Sequence, residues 1–237
     1  MLSFDGQTVL VIAPHPDDEV FGCGGLIHRV KRQGGRVYVL YLTVGTTQDF
    51  SKRGRSTQTE RTKEIKRVAS LLKLDGYRIV FPGSQFHLRL DTVPQKDIIH
   101  ELERGQDISL EAIRPSIVLT SPLQDYNQDH RAAHHATMTA TRPAAPAVKH
   151  LATVVMTYDL PSKAWTGEPA VPPKNVFVPL SAADLQAKLA ALKLYRSQLK
   201  HENSPQSVDG VKTMARMNGL LCGTRYAEGY VLKRLVA

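Results

Sequence analysis

The chain has 237 residues, of which 42% are hydrophobic, 22% charged and 6% aromatic, proportions that are ordinary for a globular protein. They exclude intrinsic disorder and a fibrous architecture, and the length suits one α/β domain with a sizeable core. The formal net charge of +9 favours anionic partners, but the lysines and arginines are dispersed, so we do not expect nucleic-acid binding.

The first half of the chain alternates apolar strands with amphipathic helices. Val9 to Ala13 form a continuous apolar run bounded by a turn, which is typical of a strand buried on both faces of a parallel sheet. Residues 24–33 then show the apolar spacing of a helix, and two glycines follow them. The alternation continues with a strand at 36–45, a helix at 57–74, a strand at 78–81, a helix at 94–105 and a strand at 116–122.

The second half begins with a helix that ends near Arg142. Ser181 is predicted to be an N-cap, with Asp184 three residues later, for an amphipathic helix over 183–199. The other predicted elements are a strand and a proline-containing loop in 151–165, a strand at 175–180, a helix near 207–221 and a closing strand in 226–236.

This alternation predicts an α/β, Rossmann-like fold with a mostly parallel sheet flanked by helices on both faces. We see neither an internal repeat nor a linker, so we expect a single domain over residues 1–237. Ligands of such folds bind at the carboxyl ends of the strands. His15 and its acids follow the first strand, and 124-QDYNQDHRAAHHA-136 follows the fourth, so both polar clusters are expected at one edge of the sheet.

The segment 15-HPDDE-19 contains the residue types of a metal site. His15, one of the acids at positions 17 and 18, and His130 form a set that suits Zn²⁺ with an open position for water. Zinc lowers the pKa of such a water to roughly 7, and a neighbouring acid can then accept its proton. The spacing does not choose between the two acids. Alternatively, the segment is a solvated turn at a helix N-terminus, where acids interact favourably with the helix dipole.

The sequence 13-APHPDDEVFGCGG-25 resembles the A-H-P-D-D-E signature of the PIG-L/LmbE-like N-deacetylases. These are zinc hydrolases that include the deacetylases of mycothiol, bacillithiol and glycosylphosphatidylinositol biosynthesis. The resemblance extends to 125-DYNQDHRAAHHATMTATRP-143, which is similar to the second motif of the family, and to 195-YRSQ-198 and 226-YAEGY-230. It therefore covers most of the chain and implies a metal-dependent N-deacetylase.

The resemblance implies that His15, Asp18 and His130 hold zinc and that Asp17 is the general base for the metal-bound water. Asp129 would orient an imidazole, a support that metal-bound histidines usually have. Another divalent metal is possible, because geometry and availability choose among first-row ions. Glu19 is interpreted as structural, capping backbone amides at the helix start.

Asn127 departs from the pattern of the family, where many members have a histidine thought to stabilise the oxyanion or to protonate the leaving amine. Asparagine can donate a hydrogen bond to developing negative charge, but it cannot deliver a proton at neutral pH. Asp17, once protonated by the water, is then the candidate general acid. Because of this departure, the alternative function is that of a catalytically impaired carbohydrate-binding protein that retains the metal.

The substrate implied by the resemblance is an N-acetylated amino sugar of N-acetylglucosamine type. Arg61 is similar to a substrate-proximal arginine of the family, or else is an exposed helix charge paired with Glu64. Arg89 and Asp91 are candidate contacts of sugar hydroxyls. The polar loop 46–56 is either a solvated flexible segment or a lid whose Lys52, Arg53 and Arg55 meet a phosphate on the substrate.

Partners and location are predicted from the same features. The chain contains no apolar run near the eighteen or so residues that cross a bilayer, and its N-terminus lacks a secretory pattern. We therefore expect a cytoplasmic protein without membrane insertion. Relatives are often homo-oligomers, so a homo-oligomer is possible.

Overall fold

The computed structural model describes residues 4–49, 51–145, 147–161 and 173–236. Its strands are β1 (Thr8–Ala13), β2 (Arg36–Val44), β3 (Thr47–Gln48), β4 (Arg55–Ser56), β5 (Gly76–Pro82), β6 (Ile117–Thr120), β7 (Val154–Tyr158), β8 (Val176–Pro179) and β9 (Ala227–Leu235). Its helices are α1 (Asp18–Arg32), α2 (Gln58–Leu72), α3 (Gln95–Arg104), α4 (Leu110–Ile113), α5 (Gln128–Ala140), α6 (Ala182–Leu194) and α7 (Val208–Leu221), with a 3-10 turn at Leu90–Thr92.

A seven-stranded sheet with the order β5-β2-β1-β6-β7-β9-β8 forms the centre of the fold. The five strands from β5 to β7 are mutually parallel, whereas β9 runs antiparallel to both β7 and β8. The predicted Rossmann-like, mostly parallel sheet is thus confirmed. The antiparallel edge was not predicted.

The first strand is buried on both faces, as its apolar run predicts. Val9, Val11 and Ala13 enter one core, which also contains side chains of α1, α2, α6 and α7. Leu10 and Ile12 enter a second core, with side chains of α3, α4 and α5. Successive residues of a strand point to opposite faces, so the two cores lie on opposite sides of the sheet. Within the described residues, no helix combines the length and hydrophobicity needed to span a bilayer.

The strand order places the ends of β1 and β6 beside a crevice. β1 pairs with β2 on one side and with β6 on the other, so the connections that follow β1 and β6 leave the sheet in different directions. Such a topological switch point is where open α/β sheets bind ligands, at the carboxyl ends of the strands. The segments after these two strands carry His15 and His130, respectively.

Several element boundaries differ from the predictions. Helix α1 begins at Asp18 instead of Gly24, and α6 ends at Leu194 instead of Leu199. The predicted loop 46–56 contains the antiparallel pair β3 and β4, and α4 was not predicted. Ser181 caps α6 through a capping box with Asp184, as predicted. The predicted loop in 151–165 lies outside the described residues from position 162 onward.

The first half of α1 packs closely against neighbouring elements. Its first turns contain glycines, which have low helix propensity and obscured the boundary in the sequence. At Gly22, a Cβ atom would lie 2.5 Å from Cγ of Tyr158 on β7. At Gly25, it would lie 2.5 Å from Cδ1 of Leu180. The glycines therefore allow α1 to approach the sheet more closely than any other residue would permit.

We predict that Gly22→Ala destabilises the protein by about 1–2 kcal/mol, because overpacking against Tyr158 outweighs the better helix propensity of alanine. Urea unfolding followed by circular dichroism measures the change. Ser70→Ala, at an exposed position of α2, is the control and should change stability by less than about 0.5 kcal/mol. Equal stability of wild type and Gly22→Ala would contradict the close packing of α1.

Candidate metal centre

A strained turn connects β1 to α1. Asp17 is the N-cap of α1 and has a φ of 111°, a left-handed conformation that is uncommon for a residue with a side chain. Its backbone oxygen accepts hydrogen bonds from Val20 and Phe21, at 3.0 and 2.9 Å. Such strain persists only where the surrounding structure imposes it, and it concentrates at functional sites. The turn brings the carboxylate of Asp18 back to His15, whose backbone N–H donates to Oδ2 of Asp18 at 2.9 Å.

The second part of the site is the N-terminus of α5. Asn127 is the N-cap, and its Oδ1 accepts a hydrogen bond from the backbone N–H of Asp129 at 2.9 Å. Oδ1 of Asp125 accepts one from the backbone N–H of Asn127 at 3.0 Å. These local bonds fix the first turn of the helix, which carries His130.

Three buried atoms from these two segments converge, and we call them the ligand triangle: Nδ1 of His15, Oδ2 of Asp18 and Nε2 of His130. Asp18 Oδ2 lies 3.4 Å from His15 Nδ1 and 3.3 Å from His130 Nε2, and the two nitrogens are 3.2 Å apart. Neighbouring ligand atoms of a tetrahedral zinc lie about 3.3 Å apart when the bonds are about 2.0 Å long. The residues present therefore fit a metal ion, and they form a candidate metal site.

Two further carboxylates orient the imidazoles by contacting the ring nitrogens that lie outside the ligand triangle. Asp129 Oδ2 lies 2.9 Å from Nε2 of His15, and Oδ2 of Asp125 is hydrogen-bonded to Nδ1 of His130. Asp129 is fully buried and also accepts hydrogen bonds from the backbone N–H groups of Leu88 and Leu90. In each imidazole the other nitrogen is thereby directed at the ligand triangle, the arrangement typical of histidines that bind metals.

The electrostatics of the ligand triangle favour a cation. Burial opposes protonation of His130, but the charge of Asp18 and the hydrogen bond to Asp125 outweigh it and raise the pKa of the imidazole to about 9. For Asp18, burial favours the neutral acid, yet the adjacent His130 and His15 hold its pKa well below the usual range. Burial also opposes protonation of His15, but the hydrogen bonds to Asp129 and Asp18 raise its pKa. The metal-free site thus retains protons that a metal ion would displace.

Asp17 lies beside the ligand triangle and remains half-buried. Burial, followed by the charge of Asp18, raises the pKa of its carboxyl group to about 7, against the opposing charge of Arg61. A carboxyl group with this pKa exchanges a proton readily near neutral pH, as general acid-base chemistry requires. The two acids of the motif are therefore distinguished by their surroundings.

Glu19 has the structural environment that the sequence suggested. It is completely buried, and its Oε2 accepts a hydrogen bond from the backbone N–H of Asp17 at 3.0 Å. Its Oε1 accepts hydrogen bonds from the hydroxyl groups of Tyr195, at 2.5 Å, and Tyr41, at 3.1 Å. Burial raises the pKa of Glu19 to about 8. Glu19 thus holds the turn that carries Asp17.

Arg61 supports the same turn from α2. It is 3% exposed, so its interpretation as an exposed helix charge paired with Glu64 is wrong. Its Nη2 donates to the backbone oxygen of Pro16 at 2.8 Å, and its Nη1 donates to Nε2 of His87 at 3.1 Å. Glu64 instead accepts hydrogen bonds from the backbone and hydroxyl groups of Ser197.

Two residues for which no role at the site was predicted, His87 and Asp125, contact the metal ligands. The ring of His87 lies edge-on to that of His15, with centroids 5.1 Å apart. Burial, with the charges of His15 and Arg61, lowers the pKa of His87 to about 2, so this imidazole is neutral. Their positions in the sequence could have identified them, because His87 follows β5 at the same edge of the sheet and Asp125 begins the second motif.

Arg89 and Asp91 lie at the 3-10 turn after β5, and both are exposed. Asp91 lines a surface pocket together with Gln128 and Arg131 of α5. The structure therefore places these two residues outside the ligand triangle.

Two sequence comparisons match this chain to deacetylases. A family model described as PIG-L, GlcNAc-PI de-N-acetylase, matches residues 10–141. A diacetylchitobiose deacetylase from Thermococcus kodakarensis is 29% identical over 230 residues, covering 95% of this chain and 82% of the relative.

Two solved structures share the fold. The conserved protein TT1542 from Thermus thermophilus is 27% identical, with a TM-score of 0.72 and coverage of 98% of this chain and 96% of that protein. GalB, the 4-carboxy-2-hydroxymuconate hydratase of Pseudomonas putida KT2440, is 20% identical, with a TM-score of 0.73 and coverage of 98% of both chains. The fold alone therefore does not decide the reaction. The family model does cover more than half of the chain, including the ligand triangle, and thus confirms the resemblance: the chain belongs to the PIG-L family.

Proposed function

We propose that this protein is a zinc-dependent hydrolase that removes the N-acetyl group from an amino sugar of N-acetylglucosamine type, releasing acetate and a free amine. Deacetylase chemistry follows from the family, and the sugar class is supported by the curated relative that acts on diacetylchitobiose. The observation that carries the proposal is the ligand triangle with a half-buried carboxyl group of suitable pKa beside it.

His15, Asp18 and His130 would hold the zinc ion through Nδ1, Oδ2 and Nε2, respectively. When bound, Zn²⁺ supplies a Lewis acid for the amide carbonyl and lowers the pKa of a water molecule to roughly 7. The same donor set accepts other divalent ions of the first transition row. Asp125 and Asp129 keep both imidazoles in the orientation and tautomer that leave these nitrogens free to coordinate.

Asp17 would move the proton. Its carboxylate accepts a proton from the attacking water and then delivers it to the leaving nitrogen, so base and acid are the same group at successive steps. In the metal-free protein, burial already raises the pKa of this carboxyl group to about 7, so it exchanges protons near neutral pH. Glu19 and Arg61 hold the backbone on either side of Asp17 and so fix the position of its carboxyl group.

Asn127 would contribute a hydrogen-bond donor. Its Oδ1 is engaged by the backbone N–H of Asp129, which leaves the NH₂ group to donate to the oxygen that becomes negative during attack. Arg89 and Asp91 remain proposed contacts of the sugar hydroxyl groups. Their loop is anchored at the site because Leu88 and Leu90 donate backbone hydrogen bonds to Asp129.

We predict that Asp17→Asn lowers turnover by roughly 10²- to 10⁴-fold, because the amide cannot accept the proton of water, while the zinc content stays the same. Acetate release from N,N'-diacetylchitobiose and N-acetylglucosamine, with metal analysis of the same sample, measures both effects. Asp107→Asn, at an exposed position, is the control. Near-normal turnover of Asp17→Asn would contradict the assigned base, and absent turnover in the wild-type protein would favour the carbohydrate-binding alternative.

We expect His130→Ala to abolish stoichiometric zinc binding, because it removes one vertex of the ligand triangle. Asp125→Asn should weaken zinc binding by about 10- to 100-fold, because it weakens the orientation of the same imidazole. Competition with a chromophoric chelator measures both affinities. His135→Ala removes an exposed imidazole from the same helix and should leave zinc binding unchanged. Unaltered zinc affinity of His130→Ala would exclude the site.

Zinc binding should release protons at pH 7, since His130, with a pKa of about 9, must lose its proton to coordinate. The apparent zinc affinity therefore rises as the pH increases towards 9 and levels off above it. Titration calorimetry in two buffers of different ionisation enthalpy counts the released protons, with about one or more expected. A zinc affinity that is constant between about pH 7 and pH 9 would be inconsistent with this assignment.

A further inference from the structure

A cavity lies at the same edge of the sheet as the metal centre, on the side of α6. Its volume is about 590 Å³, within the usual range of small-molecule sites. The C-terminal end of α6, the start of α7 and the loop after β2 contribute to its walls. We call it the lysine pocket, because its lining includes Lys52, Lys193, Lys200 and Lys212.

The lysine pocket carries an excess of positive charge. Its lining contains four lysines and two acids, Glu202 and Asp209, which leaves a net charge of +2. Among the described residues, none of these lysines forms an ion pair, whereas Lys149 and Lys188 elsewhere pair with Glu103 and Glu228. A concave site of one charge sign concentrates ligands of the opposite sign.

The walls of the lysine pocket are joined to the candidate active site. The segment after α6 begins with Tyr195, whose hydroxyl group donates to Glu19 beside the strained turn. Four residues later, the backbone oxygen of Leu199 accepts a hydrogen bond from the N–H of Lys52 at 2.8 Å. Lys200, the next residue in the chain, also lines the lysine pocket. The backbone that lines the lysine pocket is therefore continuous with a residue that holds the turn at Asp17.

The structure also refines the expectation for loop 46–56. Arg53 forms an ion pair with Glu60, and Arg55 lies on β4. Of the three basic residues considered in that loop, Lys52 is the one that lines the cavity.

We propose that the lysine pocket binds a phosphate group carried by the acetylated amino sugar, so that the preferred substrates are sugar phosphates. The inference rests on the proposed deacetylation and names its substrate class. A phosphate monoester carries a charge of about −1.5 to −2 at pH 7, which matches the surplus charge of the pocket. Lysine binds phosphate as a point charge from several directions, so no planar, bidentate geometry is needed.

The test compares two double variants that lose the same charge. Lys193→Gln with Lys212→Gln removes two lysines of the lysine pocket, and Lys63→Gln with Lys66→Gln removes two exposed lysines of α2. Calorimetry measures the binding of N-acetylglucosamine 1-phosphate to the zinc-loaded wild-type protein and both variants. Amine release gives the ratio of kcat/KM for this phosphate to kcat/KM for N-acetylglucosamine.

The pocket variant should bind the sugar phosphate about tenfold more weakly, and its kcat/KM ratio should fall about tenfold, because two charge-assisted contacts are lost. The α2 variant should change both quantities by less than about twofold, since only the overall charge differs. Binding of the sugar phosphate without amine release would support the lysine pocket while contradicting the deacetylase function.

Three results would overturn the inference. The first is equal weakening in both double variants, which would indicate attraction by net charge alone. The second is undetectable binding of the sugar phosphate to the wild-type protein. The third is equal or tighter binding of an N-acetylglucosamine glycoside that carries a carboxylate in place of the phosphate, which would exclude phosphate as the recognised group.

Discussion

The structure depends on the balance of charge where β1 and β6 end. Asp17, Asp18, Asp125 and Asp129 lie within a few residues of two histidines, and most of their carboxylate surface is removed from water. Burying this much negative charge is unfavourable unless a cation compensates it. Protons held by His15 and His130 do so in the metal-free protein, and a divalent ion at the ligand triangle would do so more completely.

The surrounding fold serves to keep these groups from separating. Glu19, Arg61 and the tyrosines behind them fix the left-handed turn at Asp17, whose conformation would relax in an isolated peptide. Further along α1, the carboxylate of Glu228 accepts hydrogen bonds from the backbone N–H groups of Gly25 and Leu26. These contacts connect the helix that begins at the metal centre to the antiparallel edge of the sheet.

The site lies at the topological switch point, so different elements supply its different groups. The β1 side supplies His15 and a strained turn with two acids, and the α5 side supplies His130, whose imidazole is held by Asp125. The lysine pocket adds a region of opposite charge on the α6 side. A metal site and a cavity lined by lysines at one edge of the sheet favour ligands that present a neutral amide at one end and an anion at the other.

The sequence by itself determined the alternation of strands and helices, because periodicity and turn residues are local signals. It also pointed to His15, Asp18 and His130, although the choice between Asp17 and Asp18 needed the family resemblance. Only the tertiary structure decided which carboxylate orients which imidazole. It also showed that Arg61 is buried and that Lys52, Lys193 and Lys200 line one cavity. These relations join residues far apart in the chain, and side-chain contacts at that separation depend on packing that no local pattern records.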